Sequence, residues 1–269
     1  MRLLIFGPGY TASRLIARLA DSARIATVTR ETLADTQRTA FEIAHATHIL
    51  SSVPPGEADP VLAAYGAQLA AANAWLGYLS STGVYGDTKG AWVDESAPTG
   101  TGRRSARAEA DAAWLALGAR VFRLPGIYGH GRSALDRVPA FRVHAPGQVF
   151  SRIHVDDIVG GIIAGFDAPP GAYNLADDEP AAQSHVIAYA CALRGIAPPP
   201  LVPLAEADLS PQARAFYSEN RRVANGKAKR ILNWRPRYAD YRLGLRALSA
   251  ITSPAITSSA PPPAIHDQT

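Results

Sequence analysis

The sequence predicts an α/β fold in which helices cover a doubly wound, mostly parallel sheet, followed by a small C-terminal lobe. Short apolar runs alternate with longer segments whose apolar residues recur at helical spacing. A glycine-rich loop joins the first apolar run to the first helical segment. After residue 129 glycine and proline become more frequent and the elements shorten, which indicates the smaller lobe.

Local patterns predict the individual elements. The run at 3–6 is apolar throughout, as expected for a strand buried on both faces. Residues 10–20 carry apolar side chains at the spacing of one helix face. The other predicted elements of the sheet are strands at 25–29, 48–51, 75–81 and 120–124 and helices at 61–73 and 106–117. In this interpretation the strands at 25–29 and 48–51 follow each other without an intervening helix.

The second half of the chain is predicted in less detail. Its clearest helices lie at 158–166 and 185–193. We interpret residues 1–251 as one domain, whose lobe is formed mainly by 130–155 and 175–248. Residues 252–269 are rich in proline, serine, threonine and alanine and are predicted to form a disordered tail.

Composition excludes several classes of protein. The 269 residues include 27 basic and 23 acidic side chains, so the formal charge is only +4. A single cysteine, Cys191, excludes an intramolecular disulfide and a cysteine-based zinc cluster. His45 and His48 have no third ligand nearby in the sequence, so we expect no metal site. The longest apolar stretch is far shorter than the ~20 residues of a membrane helix, and no signal peptide is evident, which predicts a cytoplasmic protein.

Residues 7–12 read GPGYTA and match the G-x-G-x-x-G/A fingerprint of dinucleotide-binding sites of the Rossmann type. Gly7 permits the tight turn, and Gly9 lets the backbone approach a pyrophosphate. Tyr10 and Thr11 open the helix, whose unpaired N–H groups and positive dipole end favour phosphate. The loop therefore predicts a bound NAD or NADP.

The end of the second strand indicates which dinucleotide is bound. Sites for NAD place an acidic residue there to hold the ribose hydroxyls. Here Arg30 occupies this place and can form a charge-assisted fork with a 2′-phosphate, while Glu31 is the competing residue. We therefore expect NADP, with NAD as the alternative. Polar and small residues that follow the strand at 48–51 are also expected to contact the cofactor: Ser51, Ser52, Val53 and Pro54.

Later motifs resemble those of the extended short-chain dehydrogenases/reductases, the NAD(P)-dependent epimerase/dehydratase-like enzymes. Residues 79–86 (LSSTGVYG) resemble the family's SS-x-x-VYG segment, and 93–98 (VDESAP) its acidic segment. The remaining matches are 123–129 (RLPGIYG), 152–158 (RIHVDDI) and 173–176 (YNLA). The resemblance runs from residue 2 to about 248 and implies a Rossmann-type domain with a small C-terminal substrate lobe. It also implies cofactor contacts at Ser80, Pro125 and Ile127.

The family's chemistry uses a serine or threonine, a tyrosine and a lysine beside the nicotinamide. The resemblance implies that Ser81 takes the first role and hydrogen-bonds a substrate oxygen. The Tyr-x-x-x-Lys pair should lie in 101–111, but this segment reads TGRRSARAEAD and contains neither residue. Aligning Arg107 with the lysine places Arg103 at the tyrosine, whereas another alignment places Ala106 there. The chain is therefore expected to be an atypical member of the family.

Other residues are candidates for the missing roles. Arg107 can bind the nicotinamide ribose or orient the substrate, but it cannot donate a proton near neutral pH. Tyr128 and Tyr217 are the candidate acids. His154 is possible in principle, but its position in the family's motif implies structural hydrogen bonding. Tyr85 and Lys89 match Y-x-x-x-K as text, but they lie too close to Ser81 in the sequence, so Tyr85 is expected to be structural.

The leading functional hypothesis is an NADP-dependent oxidoreductase or epimerase-like enzyme acting on a small polar carbonyl or hydroxyl compound. Two alternatives stay open: a non-catalytic NADP-binding sensor, and a redox-neutral enzyme that retains its cofactor. The basic residues between 221 and 237 favour a solvated face over a phosphate-bearing substrate or RNA. We expect a small-molecule substrate and neither nucleic acid nor a membrane as partner, with a homodimer as an open alternative.

Overall fold

The computed structural model describes residues 1–102 and 105–252. Its strands, in chain order, are β1 (Arg2–Phe6), β2 (Arg24–Val28), β3 (His48–Ser51), β4 (Trp75–Ser81), β5 (Trp92–Val93), β6 (Arg120–Leu124), β7 (Gly126–Tyr128), β8 (Arg142–His144), β9 (Arg152–His154), β10 (Gly171–Asn174), β11 (Leu201–Pro203) and β12 (Arg222–Val223). Its α-helices are α1 (Tyr10–Leu19), α2 (Thr36–His45), α3 (Pro60–Ala71), α4 (Ser105–Ala116), α5 (Val155–Ala164), α6 (Gln183–Leu193), α7 (Pro211–Phe216), α8 (Gly226–Ile231) and α9 (Tyr241–Thr252). A 3-10 turn, Thr82–Tyr85, follows β4.

The central sheet has six parallel strands in the order β10-β6-β4-β3-β1-β2. The predicted α/β fold with a parallel sheet is confirmed. The predicted succession of two strands without a helix is wrong, because α2 lies between β2 and β3. This helix buries only Thr39 and Ile43, so its apolar pattern is weak, and the Asp35 carboxylate caps it by accepting from the Arg38 N–H.

Helices cover both faces of this sheet. On one face α1 and α5 pack side by side, and Trp234 joins their core with its indole N–H donating to the Asp157 carbonyl. On the other face lie α2, α3 and α4, where Tyr78 of β4 stacks on Trp114 of α4. Asp59 links two of these helices, because its carboxylate caps α3 and accepts from the Trp114 indole at 2.9 Å. The strands are thus buried on both sides, which explains their continuous apolar runs.

The chain reverses direction across the sheet between β1 and β3. From β1 it continues to β2 on one side, and it then crosses to β3 on the other side of β1. Such a switch point opens a crevice at the carboxyl ends of the strands, where ligands of α/β proteins bind. The glycine loop and the segment after Ser51 meet at this crevice, where the Ser52 N–H donates to the Phe6 carbonyl.

Short strand pairs and the helices α6, α7 and α9 lie beyond this end of the sheet. β8 pairs with β11, β5 with β12 and β7 with β9. A separate apolar cluster joins α6 and α9 through Val186, Ala190, Tyr241 and Leu245. The proposed boundaries of the lobe stay a prediction, and α8 within them packs Ala228 into the core of the sheet. Most of the predicted tail, 253–269, lies outside the described residues.

Asp177, just after β10, should make stability depend on pH. Its side chain is buried, and burial raises its pKa to about 8, with the charge of Arg152 opposing the rise. In the unfolded chain this carboxyl has a pKa of about 3.9. Between these two values the folded protein holds a proton that the unfolded chain has lost. The free energy of unfolding should therefore fall as the pH rises, by up to about 1.4 kcal/mol per pH unit.

The substitution Asp177→Asn should flatten this dependence between about pH 4 and pH 8. Urea unfolding at several pH values across this range measures the slope. Asp21→Asn is the matched control, because Asp21 is exposed and is not among the charges that act on Asp177. An unaltered slope in the Asp177 variant would contradict the assignment.

Candidate functional site

One large cleft, with a volume of about 1430 Å³, extends from the glycine loop to the C-terminal lobe. Its wall includes most of the residues that sequence reasoning predicted for cofactor and catalysis: Gly9, Tyr10, Thr11, Ser52, Pro54, Ser80, Ser81, Arg107, Pro125, Ile127 and Tyr128. The predicted residues outside this wall are Gly7, Arg30, Ser51 and Val53. The tertiary structure therefore brings residues from both halves of the chain together around one cavity.

The geometry of the glycine loop fits a dinucleotide. Gly7 has a φ of +73°, and a Cβ there would lie 2.8 Å from the Val53 Cγ2, so both conformation and space require glycine. No atom lies within 4 Å of the position that a Cβ would occupy on Gly9. This open side of Gly9 faces the cleft at the start of α1, whose N–H groups can receive a pyrophosphate. Val53 thus supports the loop from behind rather than lining the cleft.

Arg30 lies exposed just after β2, next to the glycine loop, and donates no hydrogen bond to another described residue. The neighbouring Glu31 carboxylate accepts from the Thr29 hydroxyl at 2.5 Å, and this hydrogen bond lowers the pKa of Glu31. Arg30 remains available for an external anion, while Glu31 is ionised and held by its own loop.

Ser81 lies at the carboxyl end of β4 and lines the cleft. Its oxygen accepts from the Gly83 N–H at 3.1 Å, which caps the 3-10 turn and orients the side chain. A hydroxyl can donate while it accepts, so the O–H of Ser81 is still able to donate to a substrate oxygen.

The adjacent Ser80 has a different role. Its hydroxyl donates to the Asp111 carboxylate at 2.6 Å, in a buried position. Asp111 also accepts two hydrogen bonds from Arg123, from Nε at 3.0 Å and from Nη2 at 2.7 Å. Both charged side chains are almost fully buried, with relative exposures of 1% and 3%. Together with Ser80, this ion pair joins α4 to β4 and β6, and the predicted contact of Ser80 with the cofactor stays a prediction.

The network continues to Tyr85. Arg123 Nη1 donates to the Tyr85 hydroxyl at 2.9 Å, and this hydroxyl donates to Asn174 Oδ1 at 2.8 Å. Burial raises the pKa of Tyr85, and the charge of Arg123 opposes this rise. The hydroxyl is thus engaged on both sides within the protein. Lys89 is exposed in a separate turn with a φ of 52°. Tyr85 and Lys89 therefore do not lie on one face of a helix, although their spacing matches Y-x-x-x-K.

Arg107 lies in the first turn of α4 and lines the cleft. It comes one helical turn before Asp111, so the buried ion pair sets its position relative to the sheet. Arg107 is also near the Tyr78 hydroxyl, whose pKa burial raises, and the guanidinium charge opposes this rise. The predicted role of Arg107 at the nicotinamide or substrate stays a prediction, and its place in the cleft is consistent with it.

The candidate acids differ in how accessible their side chains are from the cleft. Tyr128 lines the cleft, but its hydroxyl lies against α9, where a Cβ on Gly244 would collide with it. Burial raises the pKa of Tyr128 strongly, and nearby Asp177 adds to the rise. Tyr217 also lines the cleft, whereas His154 is buried and its Nδ1 accepts from the Asp156 N–H. The role of Tyr128 as an acid stays a prediction. Its hydroxyl lies against α9 and does not point into open space.

Four cleft arginines, at 132, 137, 152 and 221, were not predicted for the site, and two of them contact predicted motifs. The Arg132 guanidinium lies 5.5 Å from the centre of the Tyr10 ring, and the Tyr10 hydroxyl donates to the His130 carbonyl. Arg221 donates to the Gly86 carbonyl at 2.5 Å, and its Nη2 lies 4.0 Å from the Cβ position of Gly83. The sequence signals were weak, because each arginine is distant in the chain from the motif that it contacts.

No metal-binding group of three or more His, Cys, Asp or Glu side chains occurs within residues 1–102 and 105–252. In the same part of the chain, no helix combines the length and the apolar character needed to cross a bilayer.

Solved structures share this architecture. A conserved protein of unknown function from Silicibacter pomeroyi has a TM-score of 0.84 and 43% identity, over 93% of this chain and 98% of that chain. The two chains belong to one family. At lower identity, the chain has the fold of NAD(P)-dependent epimerase/dehydratase-type short-chain dehydrogenases, which confirms the resemblance carried by the motifs.

Two of these enzymes illustrate the likeness in fold. The dTDP-glucose 4,6-dehydratase of Bacillus anthracis, in complex with NAD, has a TM-score of 0.73 and 16% identity, over 93% of this chain and 96% of that chain. A human epimerase family protein with NADPH has a TM-score of 0.69 and 16% identity, over 93% and 99% of the two chains.

No family model matches the chain. A 3-diazoavenalumate denitrifying reductase from Streptomyces is 31% identical over 144 residues, which are 48% of this chain and 46% of the reductase. The match thus spans less than half of that curated relative.

The Asp111–Arg123 pair should be essential for stability. The change Asp111→Asn leaves the Arg123 charge buried without its counter-ion and should lower the free energy of unfolding by about 3–5 kcal/mol. Urea unfolding measures this loss. The matched control Glu179→Gln breaks the exposed pair with Arg242 and should cost less than about 1 kcal/mol. Equal losses of unfolding free energy in both variants would show that the buried pair contributes no more to stability than the exposed pair.

Proposed function

We propose that the protein is an NADP-dependent oxidoreductase that acts on a small polar carbonyl or hydroxyl compound. The observation that carries this proposal is the single cleft shared by the glycine loop, Ser81, Arg107 and the C-terminal lobe. A dinucleotide at Gly9 and a substrate in the lobe would occupy one continuous volume. When bound, the nicotinamide cofactor supplies or accepts a hydride.

The preference for NADP rests on Arg30. Its guanidinium lies at the carboxyl end of β2, beside the glycine loop, and can form a fork with a 2′-phosphate. The Glu31 carboxylate, which would hold ribose hydroxyls in an NAD site, already accepts from Thr29.

The side chains around the reacting oxygen would bind and orient it. Ser81 donates a hydrogen bond to the substrate oxygen while the Gly83 N–H holds its own oxygen. Arg107 and Arg221 are positive groups of the same cleft and stabilise negative charge that develops on that oxygen. Neither arginine releases a proton near neutral pH, so the proton that completes a carbonyl reduction comes from water.

A second reaction is favoured by the absence of tyrosine and lysine from 101–111. Reductive removal of a leaving group requires hydride at carbon, and the leaving group departs with its bonding electrons. For a diazonium cation, hydride enters as neutral dinitrogen leaves and the product is uncharged, so no proton from a tyrosine acid is needed. The Streptomyces relative carries the name of a denitrifying reductase of a diazo compound, which is a reaction of this class.

Arg30→Ala should weaken NADPH binding by about 10- to 100-fold, because a charge-assisted hydrogen bond contributes about 1.5–3 kcal/mol. The affinity for NADH should change less than about threefold, since NADH has no 2′-phosphate. Fluorescence titration of both cofactors measures the two effects. Arg18→Ala, an exposed arginine of α1, is the matched control. Equal losses for both cofactors would argue against a 2′-phosphate contact.

Ser81→Ala and Arg107→Met should each lower kcat by about 10²-fold or more, because each removes a donor to the reacting oxygen. NADPH affinity should stay unchanged in Ser81→Ala. A parallel loss of NADPH affinity in Arg107→Met would assign this arginine to the nicotinamide ribose instead. Turnover is followed by NADPH absorbance with a carbonyl probe and, separately, a diazo carboxylate with nitrogen release. Ser22→Ala, on an exposed turn, serves as control. Intact NADPH binding without turnover of either probe by the unaltered protein would favour the sensor instead.

A further inference from the structure

The lobe side of the cleft has an apolar wall. Phe150 and Tyr217 meet edge to face, with ring centres 5.4 Å apart, and Val186 and Ile187 of α6 face the same cavity. Phe141 also lines it. Such a wall stabilises a ligand by burying its apolar surface, at about 25 cal/mol per Å².

Three polar side chains on this wall, Gln183, Arg152 and Ser151, are already hydrogen-bonded within the protein. Gln183 Oε1 accepts from Arg152 Nη2 at 2.7 Å, and Arg152 Nη1 donates to two backbone carbonyls. The Ser151 hydroxyl oxygen accepts from the Val223 N–H at 3.0 Å. A sugar bound here would bury several hydroxyls, and each hydroxyl left without a hydrogen-bond partner would weaken its binding. The wall therefore favours a ligand with few polar groups.

The charge of the cleft favours an anion. Its described lining includes five arginines, at 107, 132, 137, 152 and 221, but only two acids, Asp136 and Glu219. Asp136 accepts from the backbone and hydroxyl of Ser133, and Glu219 pairs with Arg221. Arg137 makes no hydrogen bond or ion pair with another described residue. It lies on the same segment of the wall as Phe141 and is exposed at the cleft.

We propose that the lobe binds a small aromatic carboxylate, with its ring against Phe150 and its carboxylate at Arg137. This inference rests on the proposed function, because it names the substrate class of the same cleft. The aromatic ring replaces water on the apolar wall. The carboxylate receives a charge-assisted fork from a guanidinium that has no counter-ion in the described structure.

Calorimetry with three probes tests the proposal on the full chain, with and without saturating NADP. The probes are trans-cinnamate, cinnamyl alcohol, which lacks the carboxylate, and UDP-glucose, which is polar and polyhydroxylated. Cinnamate should bind about tenfold more tightly than either of the others. Equal or tighter binding of UDP-glucose overturns the proposal.

Two variants test the carboxylate contact and the ring contact separately. Arg137→Gln should weaken cinnamate about tenfold and leave cinnamyl alcohol and NADPH unchanged. Phe150→Ser should weaken cinnamate and the alcohol alike. Arg194→Gln, an exposed arginine outside the cleft, is the matched control for charge. An equal loss for cinnamate and the alcohol in Arg137→Gln also overturns the proposal.

The two hypotheses fail in different ways. If NADPH does not bind when titrated alone, the proposed function is wrong. The titration of cinnamate without cofactor then still decides the substrate class, because Phe150 and Arg137 belong to the lobe. If NADPH binds and cinnamate does not, only the substrate class is wrong.

Discussion

The ion pair between Asp111 and Arg123 holds together the end of the molecule that forms the cleft. It joins α4 to the two strands β4 and β6, and through Tyr85 and Asn174 it reaches β10. Buried charges are tolerated only when their hydrogen bonds are nearly complete. Here Asp111 accepts from Arg123 and Ser80, so the pair is rigid because any displacement would expose an uncompensated charge. Ser81 and Arg107 therefore have defined positions on either side of it.

The two ends of the cleft recognise ligands by different physical means. At the glycine loop the contacts are backbone N–H groups, which require close approach and therefore a small residue at Gly9. In the lobe the wall is mainly apolar, and its polar side chains are engaged with one another. Arginine side chains supply the positive charge between the two ends. An anionic cofactor and an anionic substrate can thus share a cleft whose acids are already paired.

Much of the fold could be predicted because periodicity is a local property. The buried strands and the glycine loop after β1 have strong apolar and turn signals. α2 was missed because only Phe41 and Ile43 in it are large and apolar, and of these only Ile43 is buried. The role of Ser80 was likewise hidden, since its partner Asp111 is 31 positions away. The direction of the Tyr128 hydroxyl depends on Gly244, which is more distant still.

By itself the sequence determined the α/β class, the dinucleotide loop and the absence of tyrosine and lysine from 101–111. These features reside in local patterns of residue type, which need no knowledge of distant contacts. Only the tertiary structure decided that Arg132 lies over Tyr10, that Arg221 reaches the turn after Ser81 and that the lobe has an apolar wall. The two arginine contacts join residues more than a hundred positions apart, and the wall joins Phe150 to Tyr217. All of them arise from the packing of whole elements rather than from a local signal.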